Sequence, residues 1–318
     1  MKARYAALLL VLFVCGAGPA AAMGKGAKGT AGAQFLKLSP GARPAAMGDA
    51  FGGVADDLHA IHYNPAGLGN LQEVEVGAMH DSHFQGIRHN FGALAVPLLS
   101  WVDTRRQRNA FGTLAFSVTS LSVGDIERRG LVETDEPNGT FSAEDRAYTL
   151  GYGLSLPRRV SLGAAVKLIE QRLDSASART AAVDAGGLFQ GDRLSVGAGV
   201  RNLGGKLRFV SEADPLPLTA YLGGGWKAGP GWLAAAELRL PNDDAPRLSL
   251  GGEYRRGFSR ELRGALRAGY NMSSADGEGF DGITVGAGVA YGKAEFDFAW
   301  VAYGALGNSF RYSLRTRF

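Results

Sequence analysis

From about residue 72 to the end, apolar and polar positions alternate with a period of two, the signature of strands with one buried or lipid-facing side. The last segment shows it most clearly. Phe310, Tyr312, Leu314 and Phe318 share one face with Thr316, and Arg311, Ser313, Arg315 and Arg317 share the other. Upstream, Phe296, Phe298 and Trp300 alternate with Glu295, Asp297 and Ala299, and Trp232, Ala234, Ala236, Leu238 and Leu240 oppose Glu237 and Arg239. A slip of one residue would put every arginine on the apolar face, so register is well specified. Such segments predict fourteen strands, near 72–80, 86–96, 109–121, 145–156, 158–172, 179–189, 193–202, 216–227, 231–240, 247–256, 260–270, 279–290, 293–303 and 308–318. Residues 23–71 break the alternation. Gln34 to Leu38, the small residues around Ala45 to Ala50, and Asn64-Pro65-Ala66-Gly67 predict short helices and turns.

The connections alternate between short and long. Pro157-Arg158, Gly191-Asp192, Gly229-Pro230 and Gly292-Lys293 are short; 122–144, 203–215, 241–246 and 271–278 are long. In a membrane barrel the short set would be periplasmic turns and the long set external loops. Residues 97–108, with Arg105, Arg106 and Arg108, depart from the rule. The polar face carries both signs of charge on successive strands: Glu237 and Arg239, Glu253 and Arg255, Arg263 and Arg267, Glu295 and Asp297, then Arg311 and Arg315. Such a ladder fits a lumen where opposite charges pair. Trp232, Tyr254, Tyr270 and Tyr291 near strand ends fit interfacial girdles. The expected fold is therefore all-β, a 14-stranded antiparallel transmembrane β-barrel with a small N-terminal hatch. A soluble sandwich with salt-bridged surfaces is the competing reading, and the N-terminal segment and terminal phenylalanine weigh against it.

Composition narrows the picture further. The chain is 46% hydrophobic and 20% charged, with mean hydropathy −0.04, too polar for a polytopic helical membrane protein and too apolar for disorder. Glycine, 47 of 318 residues, is about twice its average usage. A net charge of +4 leaves no nucleic-acid footprint. Lys2 and Arg4 precede an apolar run from Ala6 to Val14, then helix breakers at Gly16, Gly18 and Pro19 and a small-residue site at Ala20 to Ala22. Residues 1–22 thus read as a cleaved secretory signal peptide. The single cysteine, Cys15, lies within it, and Val14 before it disfavours lipid attachment. No later run of 18 apolar residues could form a helical anchor. The division expected is 1–22 signal peptide, 23–71 hatch, and 72–318 barrel.

Several ordered motifs resemble the PorV/PorQ family, relatives of FadL-type transporters of hydrophobic compounds. They are Gly32-Ala33-Gln34-Phe35-Leu36, Gly41-Ala42-Arg43, Ala46 to Phe51, Ala55-Asp56-Asp57, Tyr63 to Leu68, and Arg201-Asn202-Leu203-Gly204. His62 departs from the family pattern, which usually has a large residue such as tyrosine there. The resemblance implies a fourteen-stranded barrel in the outer membrane of a Gram-negative-type bacterium, with the N-terminal segment folded into the lumen. Asn64, Pro65, Ala66 and Gly67 would form the hatch turn, with Gly67 allowing a sharp reversal. The final strand closing on Phe318 resembles the signal read by the barrel assembly machinery.

Candidate chemistry is sparse. His80, Asp81 and His83 are metal ligands by type, but without helical spacing or supporting residues they read as polar loop or lumen positions. No metal and no cofactor is expected. No G-x-S-x-G elbow occurs, and the glycine runs lie in strand pattern, so neither a hydrolase nor phosphate binding is indicated, and no enzyme is expected. Asp49, Asp56 and Asp57 are candidate polar anchors for the hatch, as ion-pair partners of inward arginines or as helix caps. Phe51, Leu58, Ile61 and Tyr63 are either hatch packing or a surface for a hydrophobic ligand. Two functions follow from the resemblance: passive passage of hydrophobic small molecules across the outer membrane, or service as a type IX secretion shuttle holding secreted protein cargo. Short external loops, the longest at 122–144, lean toward the first. The partners expected are outer-membrane lipids, the assembly machinery, and either a hydrophobic small molecule or protein cargo, with no nucleic acid.

Overall fold

A computed structural model describes residues 28–98, 111–130, 135–209, 211–274 and 281–318. The expected signal peptide, Cys15 and most of the 97–108 connection lie outside the described residues. Among the described residues sixteen strands form: β1 Glu75–Ser82, β2 Arg88–Pro97, β3 Thr113–Glu127, β4 Thr140–Leu156, β5 Val160–Leu173, β6 Ala176–Gln190, β7 Leu194–Gly204, β8 Lys206–Arg208, β9 Ala213–Pro215, β10 Thr219–Gly229, β11 Trp232–Pro241, β12 Arg247–Gly257, β13 Leu262–Asn271, β14 Ile283–Tyr291, β15 Ala294–Ala302 and β16 Asn308–Arg317. Fourteen of them close into one barrel in sequence order, all neighbours antiparallel, with β1 zipped to β16 from Glu75↔Arg317 to Ser82↔Phe310. The other two, β8 and β9, make a small ribbon in the β7–β10 connection.

The alternation runs inside out relative to a water-soluble barrel. Leu222, Trp226, Leu250, Leu266 and Leu314 are exposed on the outer face, while Glu253, Arg267, Asp297 and Arg311 are buried within. Closure pairs every strand edge, which is what a hydrocarbon surrounding demands of a sheet. The fold is thus the 14-stranded antiparallel transmembrane barrel that the alternation predicts. Trp232 and Tyr254 pair across β11 and β12 near one rim, with ring centroids 4.5 Å apart.

Two predicted loops are partly strand. The segment 122–144 continues the β3–β4 hairpin through Val123↔Ala143 to Glu127↔Thr140, with an irregularity between Val123 and Ile126. This extension stands above the apolar band. Its apolar residues, Val123, Ile126 and Phe141, are set out of step by that irregularity and do not keep the two-residue alternation that marks the other strands. The segment 203–215 holds the β8–β9 ribbon. The strand expected at 216–227 starts only at Thr219, because Pro215 and Pro217 cannot donate to the ladder.

Residues 28–71 occupy the barrel. They comprise a 3-10 turn Gln34–Lys37, short helices Ala42–Ala46 and Ala60–Tyr63, and a 3-10 helix Pro65–Asn70. The core lies between this plug and the wall. One cluster joins Leu58, Ile61, Leu68 and Leu71 of the plug to Met79, Phe91 and Leu188 of the strands. Glycines of both wall and plug permit the fit. A Cβ on Gly163 would lie 2.2 Å from the Pro65 carbonyl carbon, and one on Gly53 would lie 2.5 Å from that of Gly223. The high glycine content is therefore in part the means by which plug backbone lies directly on wall backbone.

Candidate functional site

Arg43, in a helix otherwise made of alanine and proline, is the hub of the plug. Its guanidinium is buried and donates to both carboxylate oxygens of Glu253 at 2.9 and 3.1 Å, to Asp57 at 2.8 Å and to Asp56 at 2.5 Å. It also stands 5.0 Å above the Phe51 ring. Glu253 passes the contact on to Arg267 (2.7 Å), which reaches Asp297 at 2.6 Å. Arg255 also pairs with Glu253, at 2.9 Å. Beside them Arg315 bridges Glu75 (3.1 Å) and Glu295 (2.5 Å). The two signs alternate through space, so each charge of this set has a partner.

Three members of the predicted ladder depart from this pairing. Arg263 sits exposed at the start of β13 and donates to the Gly292 carbonyl at 3.3 Å. Arg239 takes the Ser249 hydroxyl and Asn271 as partners rather than Glu237. Glu237 instead pairs with Arg201 at 2.6 Å and accepts the backbone N–H groups of Phe51 (3.1 Å) and Gly52 (2.6 Å). Neighbours along one strand point the same way but need not meet; partners come from adjacent strands and from the plug.

The three aspartates have different partners. Asp56 and Asp57 pair with Arg43 of the plug itself rather than with an arginine of the wall, and Asp57 also accepts the His59 ring N–H at 2.9 Å. Asp49 holds no arginine. It accepts the Tyr63 hydroxyl and the Asn271 amide, each at 2.8 Å. The hatch turn also differs from expectation. Asn64 caps the 3-10 helix, its Oδ1 accepting from the Ala66 N–H at 3.2 Å, while its Nδ2 reaches the Gly52 and Gly187 carbonyls. Pro65 sits at the first helical position, where its missing N–H costs nothing. Gly67 makes no reversal with positive φ. It is needed because a Cβ there would lie 2.1 Å from the Ala55 carbonyl oxygen.

Phe51, Leu58, Ile61 and Tyr63 are all essentially fully buried. Phe51 and Tyr63 pack edge to face at 5.3 Å, and Leu58 and Ile61 belong to the cluster on Met79 and Phe91. They line neither cavity described below and pack the plug against itself and the wall. His80, Asp81 and His83 do not form one cluster, although His83 Nδ1 stands 3.8 Å from Asp81. His80 is exposed on the outer face against Asn90 (2.8 Å), whereas Asp81 points inward to Arg311 at 3.1 Å and Ser309 at 2.5 Å. Phe318 is exposed at the rim, its N–H on the Val74 carbonyl at 3.0 Å.

The Arg201-Asn202 motif marks a bulge. Val183 pairs with Leu203 but Ala185 pairs with Val200, so both Arg201 and Asn202 point into the lumen, and Asn202 has φ 61°. The bulge builds a second polar set. Lys167 pairs with Asp184 at 2.7 Å and donates to Asn202 at 2.8 Å, and the Arg201 guanidinium lies 4.5 Å from the Tyr221 ring centre. None of this follows from strand periodicity, because a bulge reverses the alternation for one residue.

Two cavities lie near the plug. One is a shallow groove of about 550 Å³ on the outer face, walled by Val118, Phe296, Tyr312 and Leu314 above Ala78 and Gly92. The other is nearly closed and lies inside the barrel. Phe35, Leu36 and Leu38 roof it, and His62, Ser117, Thr119, Ala147, Thr149 and Lys167 form the rest. Its free volume is about 10 Å³, at the lower limit for one water. The roof is a cap over the barrel mouth. Lys37 and Gln34 both reach Asp243 at 2.7 Å, and the Gly32 and Ala33 N–H groups reach Pro215 and Gln171. Asp243, Pro215 and Gln171 lie at the end carrying the long connections.

A scan against family models finds no match, and no curated protein is similar to the chain. Solved structures are similar in fold. The toluene transporter TbuX of Ralstonia pickettii aligns over 88% of this chain and 98% of its own, with TM-score 0.58 and 12% identity. The CymD monoaromatic hydrocarbon channel aligns over 88% and 98%, with TM-score 0.56 and 12% identity. A FadL homologue from Pseudomonas aeruginosa aligns over 86% and 97%, with TM-score 0.51 and 12% identity. The chain thus has the barrel fold of FadL-type outer-membrane proteins over nearly all its described length.

Proposed function

We propose that this protein is an outer-membrane conduit for hydrophobic small molecules. The observation that carries the reading is a closed barrel filled by its own N-terminal segment, capped at one mouth over an apolar-roofed chamber. Support comes from the similarity in fold to proteins described as a toluene transporter and a monoaromatic hydrocarbon channel. The end with long connections faces outward and the end with short turns faces the periplasm. A barrel filled in this way does not leak ions, and an apolar solute passes by displacing packing contacts rather than through standing water. Capture begins at the cap, and the solute then follows the plug–wall seam. The N-terminal motifs support a kinship with the PorV/PorQ branch. Two of the external connections are short, 174–175 between β5 and β6 and 83–87 between β1 and β2, which leaves less platform for protein cargo.

The test is mass spectrometry of organic extracts from the detergent-purified full chain, isolated from cells grown with toluene and alkyl aromatics. Retained apolar compound, absent from a mock-purified barrel of similar size, supports the conduit. No retained compound, together with stoichiometric co-purification of a secreted protein, overturns it in favour of the secretion reading.

A further inference from the structure

The chamber under the cap is chemically two-sided. Its roof of Phe35, Leu36 and Leu38 is apolar. Its floor is not. Ser117, Thr119 and Thr149 point inward from β3 and β4, are at most 8% exposed, and among the described residues have no hydrogen-bond partner for their hydroxyls. His62, on the helix Ala60–Tyr63, presents part of its ring to the same space and likewise has no hydrogen-bond partner among the described residues; its ring contact is the edge of Tyr63, 5.2 Å away. Buried polar groups in native proteins are almost always paired. A histidine and three hydroxyls around one space, none hydrogen-bonded to another described residue, offer donors and acceptors to a polar group that enters it.

The charges around the chamber say what kind of group that is. The Lys167 ammonium is already taken by Asp184 at 2.7 Å and Asn202 at 2.8 Å, so it offers no free counter-ion. Burial first, then the neighbouring Lys167 and Arg201, push the His62 imidazole well below its ordinary range, so it stands neutral with one donor and one acceptor. A carboxylate would enter with no unpaired cation to meet it and would pay its full desolvation. An uncharged hydroxyl would meet a neutral imidazole and hydroxyls able to donate or accept.

We propose that the chamber under the cap binds an uncharged amphipathic ligand, an aromatic or alkyl body bearing a hydroxyl, with His62 hydrogen-bonding that hydroxyl. The body lies under Phe35, Leu36 and Leu38, and the cap rises to make room. This rests on the conduit reading and narrows its substrate class.

The experiment is calorimetry on the full chain in detergent with three probes of similar shape: p-cresol, toluene and 4-methylbenzoate. Wild type is expected to bind p-cresol about tenfold tighter than toluene, the factor that about 1.4 kcal/mol of hydrogen bonding supplies, and to bind 4-methylbenzoate weakest. His62→Phe is expected to keep toluene binding, which shows that the barrel is intact, and to bring p-cresol within about twofold of it. Ser117→Ala with Thr149→Val is expected to lower the preference in part. Equal binding of p-cresol and toluene by wild type, an unchanged preference in His62→Phe, or tightest binding of 4-methylbenzoate overturns the proposal and leaves the conduit standing. Failure of all three probes to bind, with no apolar compound retained from cells, overturns both.

Discussion

Arg43 shows how one residue can hold a whole segment. It lies in a run of small residues with no periodicity, and three carboxylates converge on it. The sequence marks it only as part of the Gly41-Ala42-Arg43 motif, because the partner Glu253 is over two hundred positions away. Removing it would leave Asp57 and Glu253 buried with one fewer counter-charge. Arg43→Met is expected to destabilise the seating of the plug by about 3–5 kcal/mol, the usual cost of breaking a buried pair. Hydrogen exchange would show it as lost protection over residues 42–63 while the strands stay protected; unchanged protection would mean that packing alone seats the plug. His83, in the β1–β2 connection, gives a pH dependence. Burial pushes its imidazole down to about 4. Above about pH 6.5 it is neutral both folded and unfolded and contributes nothing to the slope. As pH falls from 6.5 toward 4 the unfolded chain takes up the proton and the folded chain does not, so stability declines across that window. His83→Phe is expected to flatten this part of the profile in denaturant titrations in detergent at pH 7, 5.5 and 4; an identical slope would show that His83 is not protected from protonation.

At the scale of elements, the barrel strands were legible because one face meets hydrocarbon and the other meets charge. Where that contrast fades, legibility fades with it. The irregularity between Val123 and Ile126 breaks the alternation in the β3–β4 extension, and β8–β9 is only three residues a side. The bulge in β7 was hidden for another reason: Arg201 and Asn202 are adjacent yet both point inward, which strict alternation forbids. Asn202 holds φ 61°, a region asparagine tolerates and valine does not. Asn202→Val is expected to cost about 1–3 kcal/mol and to lower the temperature at which the folded band is lost in gel-shift assays. Asn202→Gly keeps the backbone and loses only the contacts to Lys167 and Pro217, so its loss should be smaller. The reverse order would place the role of Asn202 in its side chain alone.

The whole molecule is a barrel whose interior is a protein core. Its packing joins residues 28–71 to strands from every part of the chain. The barrel was readable from the alternation and the plug from the lack of it. The plug's contacts were not readable, because they depend on which inward side chain meets which loop across the lumen. Phe51, Leu58, Ile61 and Tyr63 read in sequence as either hatch packing or ligand contacts and are buried within the plug's packing, whereas the chamber under the cap is lined by residues such as Thr149 that carry no sequence signal. A filled barrel of this kind transports only if the cap moves. The cap is held at Asp243 by Lys37 and Gln34. The most direct test is uptake of labelled toluene and p-cresol into vesicles carrying the Lys37→Cys, Asp243→Cys variant, before and after joining the two thiols with a short cross-linker. The account predicts uptake well above empty vesicles before cross-linking, a fall to the empty-vesicle rate after it, and recovery when a cleavable linker is cut. Uptake that is unchanged with the cap pinned would contradict it.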